Sequence, residues 1–318
     1  MNILVVNCGS SSLKFQLIDS ETEQVSASGN CERIGLDGKI TYKAHGDKFV
    51  TETDLPEHGI AIKKVLELLV DKERGVINSL DEIHAVGHRM VHGGEKFSSS
   101  VVITEDVIKD IESCNDLAPL HNPANILGVR ACQEAMPGVK HVAVFDTAFH
   151  QTMPAKAYLY GLPKEYYEKY GVRRYGFHGT SHSFVSKRLA ELAGLDYNNS
   201  KMIVCHIGSG ASISAIKDGK SIDTSMGMTP LEGLVMGTRS GDIDPAIIEF
   251  ICQKENISVS EMTTILNKKS GVLGLSGVSN DFRDLVDARE SGNKDAANAL
   301  DVLVYRIVKY IGAYYMAL

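Results

Sequence analysis

The sequence predicts an α/β protein built from two related lobes. Two segments, 3–19 and 202–218, share one pattern: a continuous apolar run, a turn of small residues, and a run of alternating apolar and polar residues. A buried strand followed by a half-exposed strand gives this pattern, so each segment predicts a hairpin. The 318 residues are enough for two sizeable cores. We place the boundary near His150 and predict lobes over 1–150 and 151–318.

Composition limits the class of protein. The chain is 43% hydrophobic and 23% charged, as is ordinary for a globular protein. Its net charge of −7 argues against nucleic acid as the main partner, although a local basic site could still bind small anions. No apolar run reaches membrane-spanning length, no secretory leader precedes Asn2, and the six cysteines lack CxxC spacing. We therefore expect a cytoplasmic protein without a nucleic-acid or membrane partner.

The turn of the first hairpin has the chemistry of a phosphate site. It carries a glycine, an amide and three hydroxyls, and Lys14 follows it. Backbone N–H groups in such a turn can hold an anion, and lysine adds a point charge. An ordinary serine-rich turn is the alternative. The second hairpin favours a phosphate site over an ordinary turn, because its Gly208 and Ser209 occupy the positions of Gly9 and Ser10 in the first hairpin.

The rest of the chain contains several predicted helices, most of them with a recognisable start signal. Apolar spacing predicts a helix over 61–70, and a short strand follows at 83–86. Capping residues and proline positions predict further helices over 104–114, 122–136 and 181–192, from 245, from 258, over 281–289 and from 295 onward.

Two arginines lie in separate glycine-rich segments. Arg89 belongs to the segment 87–94, interpreted as a loop after a strand, and Arg239 belongs to the segment 237–242. Guanidinium groups bind carboxylates and phosphates through paired hydrogen bonds. A lone loop arginine is usually only solvated, but two beside phosphate turns indicate phosphoryl transfer, which depends on positioning and charge neutralisation. Asp146, at the end of the strand 141–145, is either a turn former or a catalytic orienter.

Five motifs resemble signatures of the acetate kinase (acetokinase) family: the segments 7–14, 87–94, 146–150, 175–182 and 237–242. The resemblance covers the whole chain. It implies the two-lobed, actin-like (ribonuclease H-like) ATPase fold with duplicated βββαβα-type domains. It implies the reaction ATP + acetate ⇌ ADP + acetyl phosphate by direct in-line transfer, with Mg²⁺ or Mn²⁺ as the metal. It also implies a homodimer.

The resemblance assigns site residues by their position in these motifs. It implies a catalytic set of Arg89, His121, Asp146, His178 and Arg239. It implies nucleotide and phosphate contacts from Asn7, Ser10, Ser12, Lys14, His206, Ile207, Gly208, Ser209, Gly210, Asp281, Phe282 and Arg283. It implies an acyl pocket formed by Arg89, Val91, Leu120, Phe177 and Pro230, and a metal contact from Asn7. Because a carboxylate substrate is already ionised at pH 7, we expect Asp146 to orient groups rather than remove a proton.

The sequence departs from the family pattern at two points. Ser209 stands where the family usually has asparagine, and we expect retuned nucleotide contacts rather than their loss. The chain ends at Leu318, whereas family members continue into an adenosine-contacting turn and a metal-supporting glutamate. We therefore expect a fragment that turns over poorly. The alternatives are a propionate or butyrate kinase, a nucleotide-binding fragment without turnover, and a phosphohydrolase of the same superfamily.

Overall fold

The computed structural model describes residues 1–9, 11–119 and 121–318. Contacts within the chain divide it into two compact units, Met1–Ala148 and Phe149–Leu318. None of the helices in the described ranges combines the length and the apolar character that crossing a bilayer requires.

The described part of the first unit is built on an eight-stranded mixed sheet. Its strands are β1 (Asn2–Cys8), β2 (Ser12–Asp19), β3 (Val25–Glu32), β4 (Lys39–Ala44), β5 (Asp47–Glu52), β6 (Ile83–Met90), β7 (Val101–Val102) and β8 (Lys140–Phe145). Their order in the sheet is β5-β4-β3-β2-β1-β6-β8-β7. Strands β1 to β5 pair antiparallel, whereas β6 pairs parallel with both β1 and β8. The carboxyl ends of β1, β6 and β8 therefore share one edge, where open α/β sheets bind ligands.

Three helices complete the described part of this unit: α1 (His58–Leu69), α2 (Glu105–Glu112) and α3 (Asn122–Ala135). Helix α1 buries one apolar stripe against sheet residues such as Leu4 and Phe15. Full burial of each such side chain is worth about 1.5–3 kcal/mol. The Thr104 hydroxyl accepts from the backbone N–H of Val107, so the predicted cap of α2 is confirmed.

The second unit carries a three-stranded antiparallel sheet among its described residues. Its strands are β9 (Lys201–Ile207), β10 (Ala211–Lys217) and β11 (Lys220–Thr224), in the order β11-β10-β9. The helices are α4 (Ala155–Tyr158), α5 (Lys164–Tyr170), α6 (Gly179–Ala193), α7 (Ala246–Glu255), α8 (Val259–Lys268), α9 (Gly271–Ser276), α10 (Phe282–Glu290) and α11 (Lys294–Ala317). Helix α6 packs on β9 and α11 packs on β10. The helix predicted from residue 258 begins with a capping box of Ser258 and Glu261, and Asp281 caps the helix predicted over 281–289.

Three local predictions are wrong. The segment that carries Arg89 is not a loop, because β6 continues to Met90 through hydrogen bonds to β1 and β8 that override the weak strand preference of Gly87. Helix α6 begins at Gly179 rather than at residue 181, so its N-cap is His178. Strand β10 does not alternate between buried and exposed residues, because six of its seven residues are buried.

Candidate active site

The parallel strands of the first unit bring three predicted site residues together. Asn7 lies near the end of β1, Arg89 near the end of β6, and Asp146 directly after β8. The register pairs Met90 with Phe145 in the last rung of β6 and β8, and the Asp146 N–H donates to the Met90 carbonyl at 2.9 Å. The three side chains therefore meet because their strands end at the same sheet edge.

Arg89 and Asp146 form a bidentate ion pair. Arg89 Nε and Nη2 donate to the two carboxylate oxygens at 2.9 and 2.5 Å, and Nη1 donates to Asn7 Oδ1 at 3.3 Å. The Asp146 side chain is 3% exposed and that of Arg89 is 39% exposed. Burial lowers the pKa of Arg89, but the hydrogen bonds and charge of Asp146 outweigh it, so the pKa is raised overall. A fixed, partly accessible cation results.

The turn between β1 and β2 is held by contacts that the sequence did not predict. The Gly9 N–H donates to the Ser12 carbonyl at 2.8 Å, and the Gly9 carbonyl lies 2.7 Å from Nε2 of His58 at the start of α1. Lys14 is exposed on β2. Ser10, a predicted phosphate contact, lies outside the described residues.

Two buried asparagines of α3 fix the segment after Arg89. The Val91 N–H donates to Asn125 Oδ1 at 3.1 Å, and Asn125 Nδ2 donates to the Cys8 carbonyl at 2.6 Å. Asn122 Oδ1 accepts from the His92 N–H at 3.1 Å. The sequence indicated Asn122 only as the N-cap of α3, which is wrong because His121 holds that position, and it did not identify Asn125. Their signal was a pair of polar residues three positions apart on the apolar face of a helix.

The predicted acyl-pocket residues fall in both units. In the first, Val91 is buried, His121 occupies the N-cap of α3, and Leu120 lies outside the described residues. In the second, Phe177 is buried and Pro230 is half-buried.

In the second unit, two predicted catalytic side chains face the turn between β9 and β10. A Cβ atom added to Gly210 would lie 3.4 Å from Arg239 Nη1 and 3.6 Å from His178 Nε2. The Gly237 N–H donates to the Ser209 carbonyl at 2.9 Å, which joins the turn to the segment that carries Arg239. The turn is therefore lined by a guanidinium and an imidazole.

His178 has an unusual backbone. Its φ of 57° lies in the left-handed region, which costs a non-glycine residue about 1–3 kcal/mol. Its ring stacks on that of His206 with centroids 4.1 Å apart, and its Nδ1 lies 2.9 Å from Ser212 Oγ. Strain of this kind persists where surrounding contacts fix the residue, and it is common at functional sites.

Arg239 is held by neutral acceptors. Its Nη1 donates to the Pro230 carbonyl at 3.3 Å and to Met236 Sδ at 3.8 Å. Burial lowers the pKa of this guanidinium, which still remains charged at pH 7. No carboxylate among the described residues pairs with Arg239, and a half-buried cation of this kind attracts an anion.

The third predicted nucleotide-binding segment lies at the start of α10. Asp281 caps the helix through the Arg283 N–H, and the two side chains also pair at 2.6 Å. Arg283 is 88% exposed. The exposed guanidinium is available to a ligand, but its pairing with Asp281 occupies two of its donors.

The first-unit oxygens fit a divalent metal that arrives with a nucleotide. Among the described residues no cluster of three or more His, Cys, Asp or Glu side chains could hold a metal ion. Asn7 Oδ1 and the Asp146 carboxylate are hard oxygen donors that Arg89 bridges. Mg²⁺ in nucleotide sites needs only one or two protein oxygens, because phosphates and water supply the rest.

Curated relatives match over the full length of this chain. An acetate kinase of Lachnoclostridium phytofermentans is 66% identical over 319 residues, which cover 100% of this chain and 81% of that protein. An acetate kinase of Agathobacter rectalis is also 66% identical, and the match covers 100% of this chain and 80% of that one.

Solved structures confirm the predicted fold class. The crystal structure of Porphyromonas gingivalis acetate kinase matches with a TM-score of 0.96 and 52% identity, covering 99% of this chain and 80% of that one. A propionate kinase from Francisella tularensis matches with a TM-score of 0.94 and 45% identity, covering 100% and 80%. The two-lobed α/β fold of the actin-like ATPase class is thereby shown. The family model described as the acetokinase family matches residues 2–318, so this chain belongs to the acetokinase family.

Proposed function

We propose that the chain catalyses reversible phosphoryl transfer from ATP to acetate, giving ADP and acetyl phosphate. The observation that carries this proposal is the convergence of His178 and Arg239 on the glycine turn after β9. Two donors fixed beside a turn of backbone N–H groups suit a transferred phosphoryl group, whose catalysis rests on positioning and charge stabilisation.

In the first unit, Arg89 binds the acetate carboxylate or the phosphoryl group. Asp146 orients Arg89 through their bidentate pair, and its burial with both oxygens engaged supports a positioning role rather than proton removal. Ser10, Ser12 and Lys14 contact phosphate, and His121 lies beside the substrate.

In the second unit, His178 and Arg239 donate to the phosphoryl oxygens as charge develops in the transition state. Nucleotide contacts come from the turn after β9 and from the start of α10. The residues assigned to this role are His206, Ile207, Gly208, Ser209, Gly210, Asp281, Phe282 and Arg283. The exposure of Ser209 and Arg283 supports contact with a ligand.

The metal is Mg²⁺ or Mn²⁺, with Asn7 as its protein contact. The ion neutralises phosphate charge when bound, and hard oxygen donors at Asn7 and Asp146 support this choice.

Acetate, rather than a longer acyl group, is the substrate we propose. The residues that the family resemblance assigns to its methyl group are Val91, Leu120, Phe177 and Pro230. Within the first unit, the buried Val91 side chain supports a small apolar site, and one extra methylene at such a site discriminates about 10–200-fold.

We further propose a cytoplasmic homodimer whose protomers each have two lobes, residues 1–150 and 151–318. Exposed apolar side chains on α6, among them Phe184 and Leu192, support association. Light scattering across a concentration series tests it, and a mass of one chain at every concentration contradicts it.

The test of the activity is acetate-dependent ADP formation, with propionate at equal concentration as the comparison. We expect acetyl phosphate to accumulate as its hydroxamate and acetate to give the higher kcat/KM. Phosphate release without acetate identifies a phosphohydrolase instead. Nucleotide binding without any turnover identifies a binding fragment.

A further inference from the structure

A chain of hydrogen bonds runs from His178 into the interior of the second unit. His178 Nδ1 lies 2.9 Å from Ser212 Oγ, and the same oxygen lies 2.8 Å from His182 Nε2. Ser212 and His182 are fully buried, whereas His178 is half-buried with its Nε2 toward Gly210. One serine hydroxyl therefore links the two imidazoles.

The proton positions follow from what each atom can donate. The Ser212 hydroxyl has one proton, so it donates to one imidazole and accepts from the other. The other ring nitrogen of His182, Nδ1, is buried without a hydrogen-bond partner among the described residues. A buried N–H without an acceptor is rarer and more costly than an unused acceptor. The proton of His182 therefore sits on Nε2, where Ser212 accepts it.

The order of the remaining bonds is then fixed. His182 Nε2–H donates to Ser212, the Ser212 hydroxyl donates to His178 Nδ1, and His178 carries its own proton on Nε2. We propose that Ser212 and His182 are positioning residues that hold His178 in the Nε2–H tautomer, with this N–H aimed at the phosphoryl group. The proposal rests on the function proposed above for His178.

The surroundings of His182 keep its ring in one protonation state. Burial, helped by the neighbouring imidazoles, lowers the pKa of His182, so its ring stays neutral at pH 7. The rings that face it belong to His150 and His206, with centroids 5.6 and 6.3 Å away. Nδ1 of His150 bonds Ser221 and Nδ1 of His206 bonds Ser181. A neutral His182 can hold only one proton, which its bond to Ser212 uses.

Nitrogen NMR of the full chain labelled with ¹⁵N-histidine tests the proposal directly. Protonated and unprotonated ring nitrogens have separate shifts, and loss of one signal set in His178→Asn assigns His178. We expect wild-type His178 to be protonated at Nε2 and bare at Nδ1. Ser212→Ala should give a mixture of tautomers and lower kcat by up to about 100-fold, with KM for acetate little changed.

A second pair of variants covers the case in which Ser212→Ala does not fold. His182→Gln keeps an N–H that can reach Ser212, whereas His182→Phe keeps the ring volume without any donor. We expect kcat and the Nε2–H signal of His178 to be retained better in His182→Gln than in His182→Phe. Ser186→Ala is the matched control, because Ser186 is equally buried but bonds the Ser183 carbonyl and the Tyr197 hydroxyl.

Three results overturn the proposal: a bare Nε2 on wild-type His178, an unchanged tautomer in Ser212→Ala and His182→Phe, or a changed tautomer with unchanged kcat. The proposed function fails separately, because full activity of His178→Ala would remove His178 from catalysis whatever its tautomer.

Discussion

The two hairpin turns share a sequence pattern, but the basic side chains beside them come from different kinds of structure. The turn after β1 lies beside Arg89, which a parallel strand delivers and a carboxylate holds. The turn after β9 lies beside Arg239 and His178, which come from an irregular segment and from a helix N-cap.

The charge state of the two arginines differs accordingly. Arg89 is neutralised by Asp146 and has a raised pKa, whereas Arg239 donates to a carbonyl and a thioether and has a pKa lowered by burial. An arginine already paired gains little by meeting an anion, but a desolvated arginine without a carboxylate gains much. From this comparison we infer that Arg89 mainly orients a bound ligand and that Arg239 mainly supplies charge, which the following variants test.

Replacing either arginine tests whether both serve the reaction. We expect Arg239→Ala and Arg89→Ala each to lower kcat by about 10³–10⁵-fold, as for other arginines that stabilise phosphoryl transfer. Steady-state ADP formation measures the change. Arg188→Ala is the control, because Arg188 is exposed on α6 and pairs with nearby Glu191 of the same helix. Near-normal turnover in either variant would remove that arginine from the mechanism.

The same two variants should also differ in their free energy of unfolding. Arg89→Ala leaves the buried Asp146 carboxylate without its main partner, which should lower the free energy of unfolding by about 1–3 kcal/mol. Arg239→Ala strands no opposite charge, and we expect a loss below about 1 kcal/mol. Urea unfolding measures both.

Asp146→Asn in the Arg89→Ala background is the matched control for that difference. It removes the stranded charge, so it should recover stability without recovering turnover. Equal losses in the two single variants would show that the pairing of Arg89 has no energetic consequence.

The buried pair His88 and His141 of the first unit should act on stability rather than on turnover. His88 Nε2 lies 2.9 Å from His141 Nδ1, and burial, with the nearby His141, lowers the pKa of His88 from 6.5 to about 3. Between these values the unfolded chain binds more protons than the folded chain, so stability falls as pH falls through this range. We expect a loss of about 2 kcal/mol from His88 between pH 7 and pH 5.

Urea unfolding at the two pH values checks this expectation. Replacing both histidines by glutamine should reduce the pH-dependent loss, because neither side chain then titrates. The same loss in the double variant would place the acid sensitivity elsewhere in the chain.

Much of this arrangement was readable from the sequence because hairpins and helix caps are local. The two hairpins, the cap at Thr104 and the capping box at Ser258 each depend on a few neighbouring residues. The start of β6 was predicted, but its extension through Arg89 was not, because the pairing comes from residues far along the chain. The hydrogen bonds of the Asn122 and Asn125 side chains were not predictable for the same reason, nor was the hydrogen bond between Ser212 and His182. Each joins segments at least 30 residues apart.

The smallest effect that we expect is that of replacing Val91, whose backbone is held rigidly in the first unit. Asn125 holds the Val91 N–H and the Cys8 carbonyl together, so the backbone cannot collapse into space vacated by a smaller side chain. Val91→Ala should therefore widen the acyl pocket and raise kcat/KM for propionate relative to acetate, by no more than about 1–3 kcal/mol. Val129→Ala is the matched control, because Val129 is equally buried in the core of the same unit. It should lower stability and leave the propionate-to-acetate ratio unchanged. A propionate-to-acetate ratio that does not move in Val91→Ala would place Val91 outside the pocket.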